Sequence, residues 1–207
     1  MKKGKFIVLE GVDGSGKSTQ SAILRQRIQD AGHRVHATFE PTNGPIGSVL
    51  RNILTHRIEA DEKTIAALFL ADRLDHIQNK QNGLLHQLNQ GIHVVCDRYY
   101  FSSYAYHSTH IDMEWVIQSN ALCAELLRPD LNIYIDIQPQ TSMERIAQGR
   151  TSKDLFENLE RITKVHAGYS TAFERLQNEE HIIKLDGERE VAAIADDIWQ
   201  QTKHWFI

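Results

Sequence analysis

Gly11, Val12, Asp13, Gly14, Ser15, Gly16, Lys17 and Ser18 form an unbroken G-x-x-x-x-G-K-S string that begins as the apolar run Phe6-Ile7-Val8-Leu9 ends. A buried strand that stops at a glycine-rich turn and then opens a helix aims successive backbone N–H groups and a helix N-terminus at one point, and such a point holds a polyphosphate. Gly11, Gly14 and Gly16 let the backbone curl around the anion where a Cβ would obstruct it, Lys17 reaches the outer phosphates and Ser18 binds magnesium. Gly11 to Thr19 is therefore expected to hold a polyphosphate.

A second string, Asp97-Arg98-Tyr99, closes the apolar run Val94-Val95-Cys96. Two readings stand for it. Asp97 binds magnesium through water while Arg98 clamps an acceptor phosphate in a bidentate fork, or the two make a structural ion pair at a strand end. Phe101-Ser102-Ser103-Tyr104-Ala105-Tyr106-His107 follows as an aromatic loop, whose rings and hydroxyls suit a nucleoside, with core packing as the alternative. Phe69 and Arg73 stand four apart, one helical turn, so a ring face and a donor fork can meet the same planar base. Phe69 also continues a core stripe of Ile65 and Leu68, and that reading stays open beside the first.

The elements that must position these residues alternate in type. After the phosphate loop the spacing predicts a helix over Thr19 to Ala31 that stops at Gly32, a strand over Val35 to Phe39, a turn-rich loop from Glu40-Pro41, and a short helix from Ile46 to Leu54. Asp61 caps a long helical stretch, a second helix ends at Gly91, and His93 to Cys96 is the third strand. One amphipathic helix is expected from Met113 to Leu127, a strand from Leu131 to Ile137, and a helix from Pro139. A charged stretch, Arg150 to Glu157, precedes a helix to about Gln177; a fifth strand spans His181 to Leu185, and Val191 to Trp199 closes the pattern.

Short strands separated by helices imply an α/β fold: a doubly wound, five-stranded parallel sheet with helices on both faces and ligands at the carboxyl ends of the strands. The phosphate loop, Glu40-Pro41 and Asp97-Arg98 all fall at such ends, so three loops converge on one cleft. With 207 residues the chain is expected to form a single domain, 1–207. A net charge of −4 gives no global attraction for nucleic acid or anionic lipid. Cys96 and Cys123 form no disulfide framework, and the scattered histidines form no metal set. The segment before the first strand is far too short for a signal or a membrane span, so a soluble cytoplasmic protein is expected.

Taken together, GVDGSGKS, FEPT, Phe69 with Arg73, DRYYFSSYAY and an arginine-bearing charged segment resemble the thymidylate kinase family along nearly the entire chain. The resemblance implies transfer of the ATP γ-phosphoryl group to dTMP with magnesium, a mobile lid at about 149–157, and a homodimer. It implies that Phe69 stacks on thymine, Arg73 bonds its carbonyl edge, Arg98 holds the acceptor phosphate, and Asp13 meets the sugar hydroxyl or the metal shell. Phe39, Pro41, Ser103 and Tyr106 would complete the dTMP site. One branch of the family carries a catalytic arginine in the phosphate loop and another carries it in the lid. Gly14 occupies the loop position here, so the lid must supply the charge, and Arg150 with Lys153 is available for it. Glu157 matches a carboxylate near substrate or metal in some relatives.

Two departures from the family pattern stand out. Phe39-Glu40-Pro41-Thr42 lacks the arginine that many relatives place near the acceptor phosphate, which leaves Arg51 as its substitute, and His107 stands where a glutamine is common. Two rival classes also share parts of the pattern. A deoxynucleoside kinase would need a general-base carboxylate near a sugar hydroxyl and no phosphate clamp. A non-catalytic switch of GTPase type would need an N-K-x-D element, where this chain has Asn79-Lys80-Gln81-Asn82.

Overall fold

The computed structural model describes residues 3–149 and 159–207. In chain order the elements are β1 (Phe6–Glu10), α1 (Lys17–Asp30), β2 (Val35–Phe39), α2 (Pro45–Leu54), α3 (Glu62–Gln78), α4 (Leu84–Asn89), β3 (His93–Asp97) and α5 (Tyr100–His107). They continue with α6 (Met113–Ser119), α7 (Ala121–Leu126), β4 (Leu131–Asp136), α8 (Pro139–Gly149), α9 (Leu159–Leu176), β5 (Ile182–Asp186) and α10 (Val191–Thr202), before a short 3-10 turn over Lys203–Trp205.

The strands form one parallel sheet in the order β2-β3-β1-β4-β5, each connected to the next in sequence by helical crossovers. β1 lies at the centre, which is why FIVLE is buried at every position, whereas the edge strands VHATF and IIKLD are only partly covered. Alternate residues of the central strands feed two separate cores. Phe6, Val8, Val94, Cys96 and Tyr134 pack with Ile77 of α3, Tyr104 of α5 and Tyr169 of α9. Ile7, Leu9, Val95, Ile133 and Ile135 pack with Leu24 and Ile28 of α1 and Ile194 and Ile198 of α10. Helices thus cover both faces, as the alternating pattern requires.

Two elements differ from the sequence reading. The aromatic string after Tyr99 is a helix, α5, with every residue from Tyr100 to His107 buried. Its side chains bridge the core on one side and the cleft on the other, so neither helical nor strand periodicity is visible in them. The single helix expected over Met113 to Leu127 is broken at Asn120 into α6 and α7. There the Asn120 side-chain amide donates to the Val116 carbonyl at 2.9 Å while its Oδ1 accepts from Arg73 Nη1 at 2.5 Å, a use of Asn that competes with helical backbone bonding.

Candidate active site

The carboxyl ends of β1, β2 and β3 carry the loops that build the site. β1 runs into the phosphate loop, and Gly14 lies there at φ 75°, in the left-handed region, with space for a Cβ closed off by the Ser142 carbonyl oxygen at 3.1 Å. Ser142 of α8 fixes the loop by donating to the Asp13 carbonyl at 2.6 Å. Gly16, at φ 93°, ends the turn and begins α1 without a side-chain cap, so the first N–H groups of that helix remain available to an anion. Lys17 curls back to donate to the Val12 carbonyl at 2.8 Å. Its burial, with Arg98 nearby, lowers its pKa to about 8 against the pull of Asp97 and Asp13.

Two depressions open on this edge of the sheet. The wider, about 840 Å³, is lined by Asp13, Gly14, Gly16, Lys17, Ser18 and Thr19 of the phosphate loop and the start of α1, by Phe39 and Asp97, and by the cations Arg25 and Arg145. Gly11, Val12 and Ser15 lie buried beneath it. The narrower, about 180 Å³, is lined by Pro41, Leu54, Phe69, Arg73, Ser103, Tyr106 and His107. Asp13, Glu40 and Arg98 belong to both linings.

Arg98 is held at this shared wall by a dense set of contacts. Its Nη2 donates to Asp13 Oδ1 at 2.6 Å and to the Tyr106 hydroxyl at 3.1 Å, and its guanidinium lies 4.9 Å from the Tyr106 ring centroid. Tyr106 in turn donates to Asp13 Oδ2 at 3.2 Å. Burial opposes the Arg98 charge, but Tyr106 and Asp13 outweigh it and raise its pKa, so the group stays a cation.

Arg73 sits at the end of the narrow cavity, 1 % exposed. Its Nε and Nη2 both meet Glu40 Oε2, at 2.8 and 2.7 Å, and Nη1 donates to Ser103 Oγ at 3.0 Å. Glu40 Oε1 lies 3.0 Å from His76 Nδ1, while His76 Nε2 lies 2.9 Å from Thr38 Oγ1, so one carboxylate ties the end of β2 to α3. Desolvation again opposes the Arg73 charge, and Glu40 raises the pKa beyond it. Phe69 has its ring 5.1 Å from that of His107 at the cavity and packs against the small cluster of Leu50, Ile53 and Ile65, so one ring belongs to a core and to a cavity wall. Burial, followed by Arg73, drives the His107 pKa down to about 3, which keeps its imidazole neutral.

Ser18 and Asp97 meet directly: Ser18 Oγ donates to Asp97 Oδ2 at 2.5 Å. The other oxygen, Asp97 Oδ1, is buried without a hydrogen-bond partner. A hydroxyl beside a carboxylate with an unused oxygen is the hard-donor chemistry that suits magnesium. Among the described residues no cluster of three or more His, Cys, Asp and Glu side chains could hold a metal alone, so water and phosphate oxygens would have to complete the shell.

Of the residues singled out in the sequence, Arg51 lines neither depression. Its Nη1 donates to the Thr42 and Pro41 carbonyls and its Nη2 to Ser48 Oγ, so it braces the loop after β2. Phe39 lies on the phosphate-loop side and not in the narrow cavity. Arg150, Lys153 and Glu157 lie outside the described residues. Glu40, Ser102, Arg25 and Arg145 were not singled out as site residues. Glu40 carried a signal, as an acidic residue at a strand end. Arg145 carried none, because only the packing of α8 on Gly14, with Nη1 3.4 Å from the Gly14 carbonyl, brings it to the site.

Comparison with known proteins agrees with this geometry. A family model described as thymidylate kinase matches residues 9–198. The chain is 38 % identical over 173 residues to a probable thymidylate kinase of Pyrococcus horikoshii, covering 81 % of this chain and 82 % of the relative. It is 38 % identical over 176 residues to a thymidylate kinase of Desulfotalea psychrophila, covering 84 % and 82 %. It is also 34 % identical over 205 residues to one of Brachyspira hyodysenteriae, covering 97 % and 94 %.

Proposed function

Because the chain belongs to the thymidylate kinase family, whose enzymes transfer a phosphoryl group from ATP to dTMP, we propose that the wider depression holds ATP and the narrower one dTMP. The observation that carries this is the shared wall of Asp13, Glu40 and Arg98, which lets a donor and an acceptor phosphate meet end to end. An acceptor phosphate oxygen forms the new bond to the γ-phosphorus as the bond to the β–γ bridging oxygen breaks, and ADP departs with that oxygen.

The protein contributes position and charge more than covalent chemistry. Lys17 and the N–H groups opening α1 take the outer phosphates, and Arg98 turns its fork from Asp13 toward the acceptor phosphate. Phe69 stacks on thymine, and the Arg73 and Ser103 polar atoms meet its edge, with Tyr106 and Asp13 beside the sugar. Phe39 and Pro41 flank the acceptor side. Arg51 acts at one remove, by shaping the loop that carries Pro41. Magnesium would be held by Ser18 directly and by Asp97 through water, where it would neutralise charge on the phosphates. Arg150, in a lid at about 149–157 of a single 1–207 domain, supplies the charge that Gly14 leaves out of the loop, with Lys153 as its alternate and Glu157 beside the metal.

Homodimerisation is supported by exposed apolar side chains, Trp115 of α6 and Leu122 of α7, of the kind a second copy would cover. Cytoplasmic residence is supported by two buried free thiols, Cys96 and Cys123. Among the described residues, no helix is long and apolar enough to cross a membrane.

An assay of ADP release against a panel of nucleoside monophosphates and thymidine itself tests the assignment. dTMP should be the preferred acceptor. Turnover of thymidine in preference to dTMP would indicate a nucleoside kinase, and nucleotide binding without turnover would indicate a switch.

A further inference from the structure

Beneath the shared wall lies a carboxylate that lines neither depression. Glu10, the last residue of β1, is 0 % exposed. The groups around it are donors: the Tyr99 N–H at 2.9 Å, the Ser102 N–H at 3.3 Å, the Ser102 hydroxyl at 2.6 Å and the Tyr169 hydroxyl at 3.0 Å. Oε1 is met by two backbone N–H groups, which can only donate, and Oε2 by two hydroxyls, which also keep lone pairs free for a neighbouring cation. Burial raises the Glu10 pKa, and Ser102 and then Arg98 oppose that rise.

Arg98 is one hydroxyl away. Ser102 spends its only hydrogen on Glu10, so its lone pairs turn to Arg98 Nη1, 3.1 Å away. Tyr169 of α9 lies at 3.4 Å from the same nitrogen and 2.8 Å from Ser102 Oγ. The backbone of Arg98 is equally constrained. It sits at φ 73°, a left-handed conformation unfavourable for a residue with a side chain. Its own N–H is fixed by the Leu9 carbonyl at 2.9 Å, and the next N–H, that of Tyr99, is fixed by Glu10.

We infer that Glu10 is the positioning residue of the acceptor-phosphate arginine: it holds the backbone of Arg98 in its left-handed turn and, through Ser102 and Tyr169, orients the guanidinium. The inference rests on the reading of Arg98 given above. It makes a buried acidic side chain that touches no substrate responsible for the aim of a cation that does. Tyr169, far along the chain on α9, becomes the second support of the same fork.

The test is Glu10→Gln and Tyr169→Phe, each alone and with Arg98→Lys, read by steady-state kinetics in dTMP and equilibrium binding of ATP. In Glu10→Gln an NH2 replaces one acceptor oxygen and would donate to the Ser102 and Tyr169 hydroxyls, taking lone pairs from Arg98, so the variant should raise KM for dTMP and lower kcat, together costing roughly tenfold or more in kcat/KM, while ATP affinity holds. Tyr169→Phe should weaken dTMP in the native background and have no further effect once Arg98 is Lys. Equal losses for ATP and dTMP, or additive losses in the double variant, would overturn the inference. If Glu10→Gln does not fold, the Tyr169 cycle decides alone. An Arg98→Lys variant with unchanged dTMP affinity would overturn the reading of Arg98 itself, a result distinct from additivity.

Discussion

Arg98 and Asp13 face each other at 2.6 Å, and each lines both depressions of the site. The pair brings the end of β3 to the phosphate loop and holds the Arg98 guanidinium against it. Side-chain exposures of 16 % and 20 % leave the pair reachable, so under the proposed assignment an acceptor phosphate would compete with Asp13 for the fork.

Lys17 yields a pH signature. With its pKa lowered to about 8 by burial, it is charged in the free enzyme below that pH and neutral above it. A polyphosphate favours the charged form, so ATP binding should take up a proton above about pH 8, and affinity should fall as pH rises further. Titration calorimetry in buffers of different ionisation enthalpy measures the proton directly. In Lys17→Ala the uptake should vanish and turnover should be abolished in a folded protein.

Arg73 and Glu40 form a buried pair, with side-chain exposures of 1 % and 2 %. Arg73→Ala would leave the Glu40 carboxylate uncompensated in the interior, so it should lower stability by roughly 3 to 5 kcal/mol as well as weaken dTMP. Urea unfolding of Arg73→Ala beside Glu40→Gln and the double variant reads this. The double variant should recover part of the loss.

Phe69 lines the narrow cavity and packs against a small core. Phe69→Leu keeps much of the apolar volume, so stability should change by less than about 1.5 kcal/mol. The loss of a stacking face should instead appear in KM for dTMP, with KM for ATP unchanged. Equal effects on both substrates would return the ring to packing alone.

Gly168 lets α9 approach α5. A Cβ there would stand 2.9 Å from the Ala105 carbonyl oxygen. Gly168→Ala should therefore cost about 1 to 3 kcal/mol through forced separation of the helices. Because Tyr169 follows directly on α9, dTMP turnover should fall with it. Thermal unfolding and kinetics on this one variant read both effects.

Arg150 and Arg145 should separate chemistry from binding. If Arg150 neutralises the transferring group, Arg150→Ala lowers kcat by at least roughly a hundredfold with ground-state affinities little changed. Arg145 lines the wider depression beside the Gly14 carbonyl, so Arg145→Ala should act mainly on ATP affinity. Single-turnover kinetics with equilibrium binding distinguishes them, and near-normal chemistry in Arg150→Ala would move the role to Lys153 or to Arg145.

What the sequence determined by itself was the phosphate loop, the helical spacing of Phe69 and Arg73, and the alternation of strands with helices. The phosphate loop is one continuous stretch whose glycines dictate its own path, and Phe69 and Arg73 share a helical face by spacing alone, so both could be read without a partner. The sheet was equally legible, because the apolar run of β1 and the alternation of strands with helices leave few ways to bury them. Tertiary structure alone decided how each charge is spent. Arg73 meets Glu40 from 33 residues away, Arg98 meets Tyr169 from 71, and Ser102 meets Glu10 from 92. It also turned Arg51 to the carbonyls after β2 and split the helix at Asn120. The reason is physical: periodicity reports which face of an element is buried, but the partner of a buried polar atom is set by the element packed against it, and that packing exists only once the chain has folded.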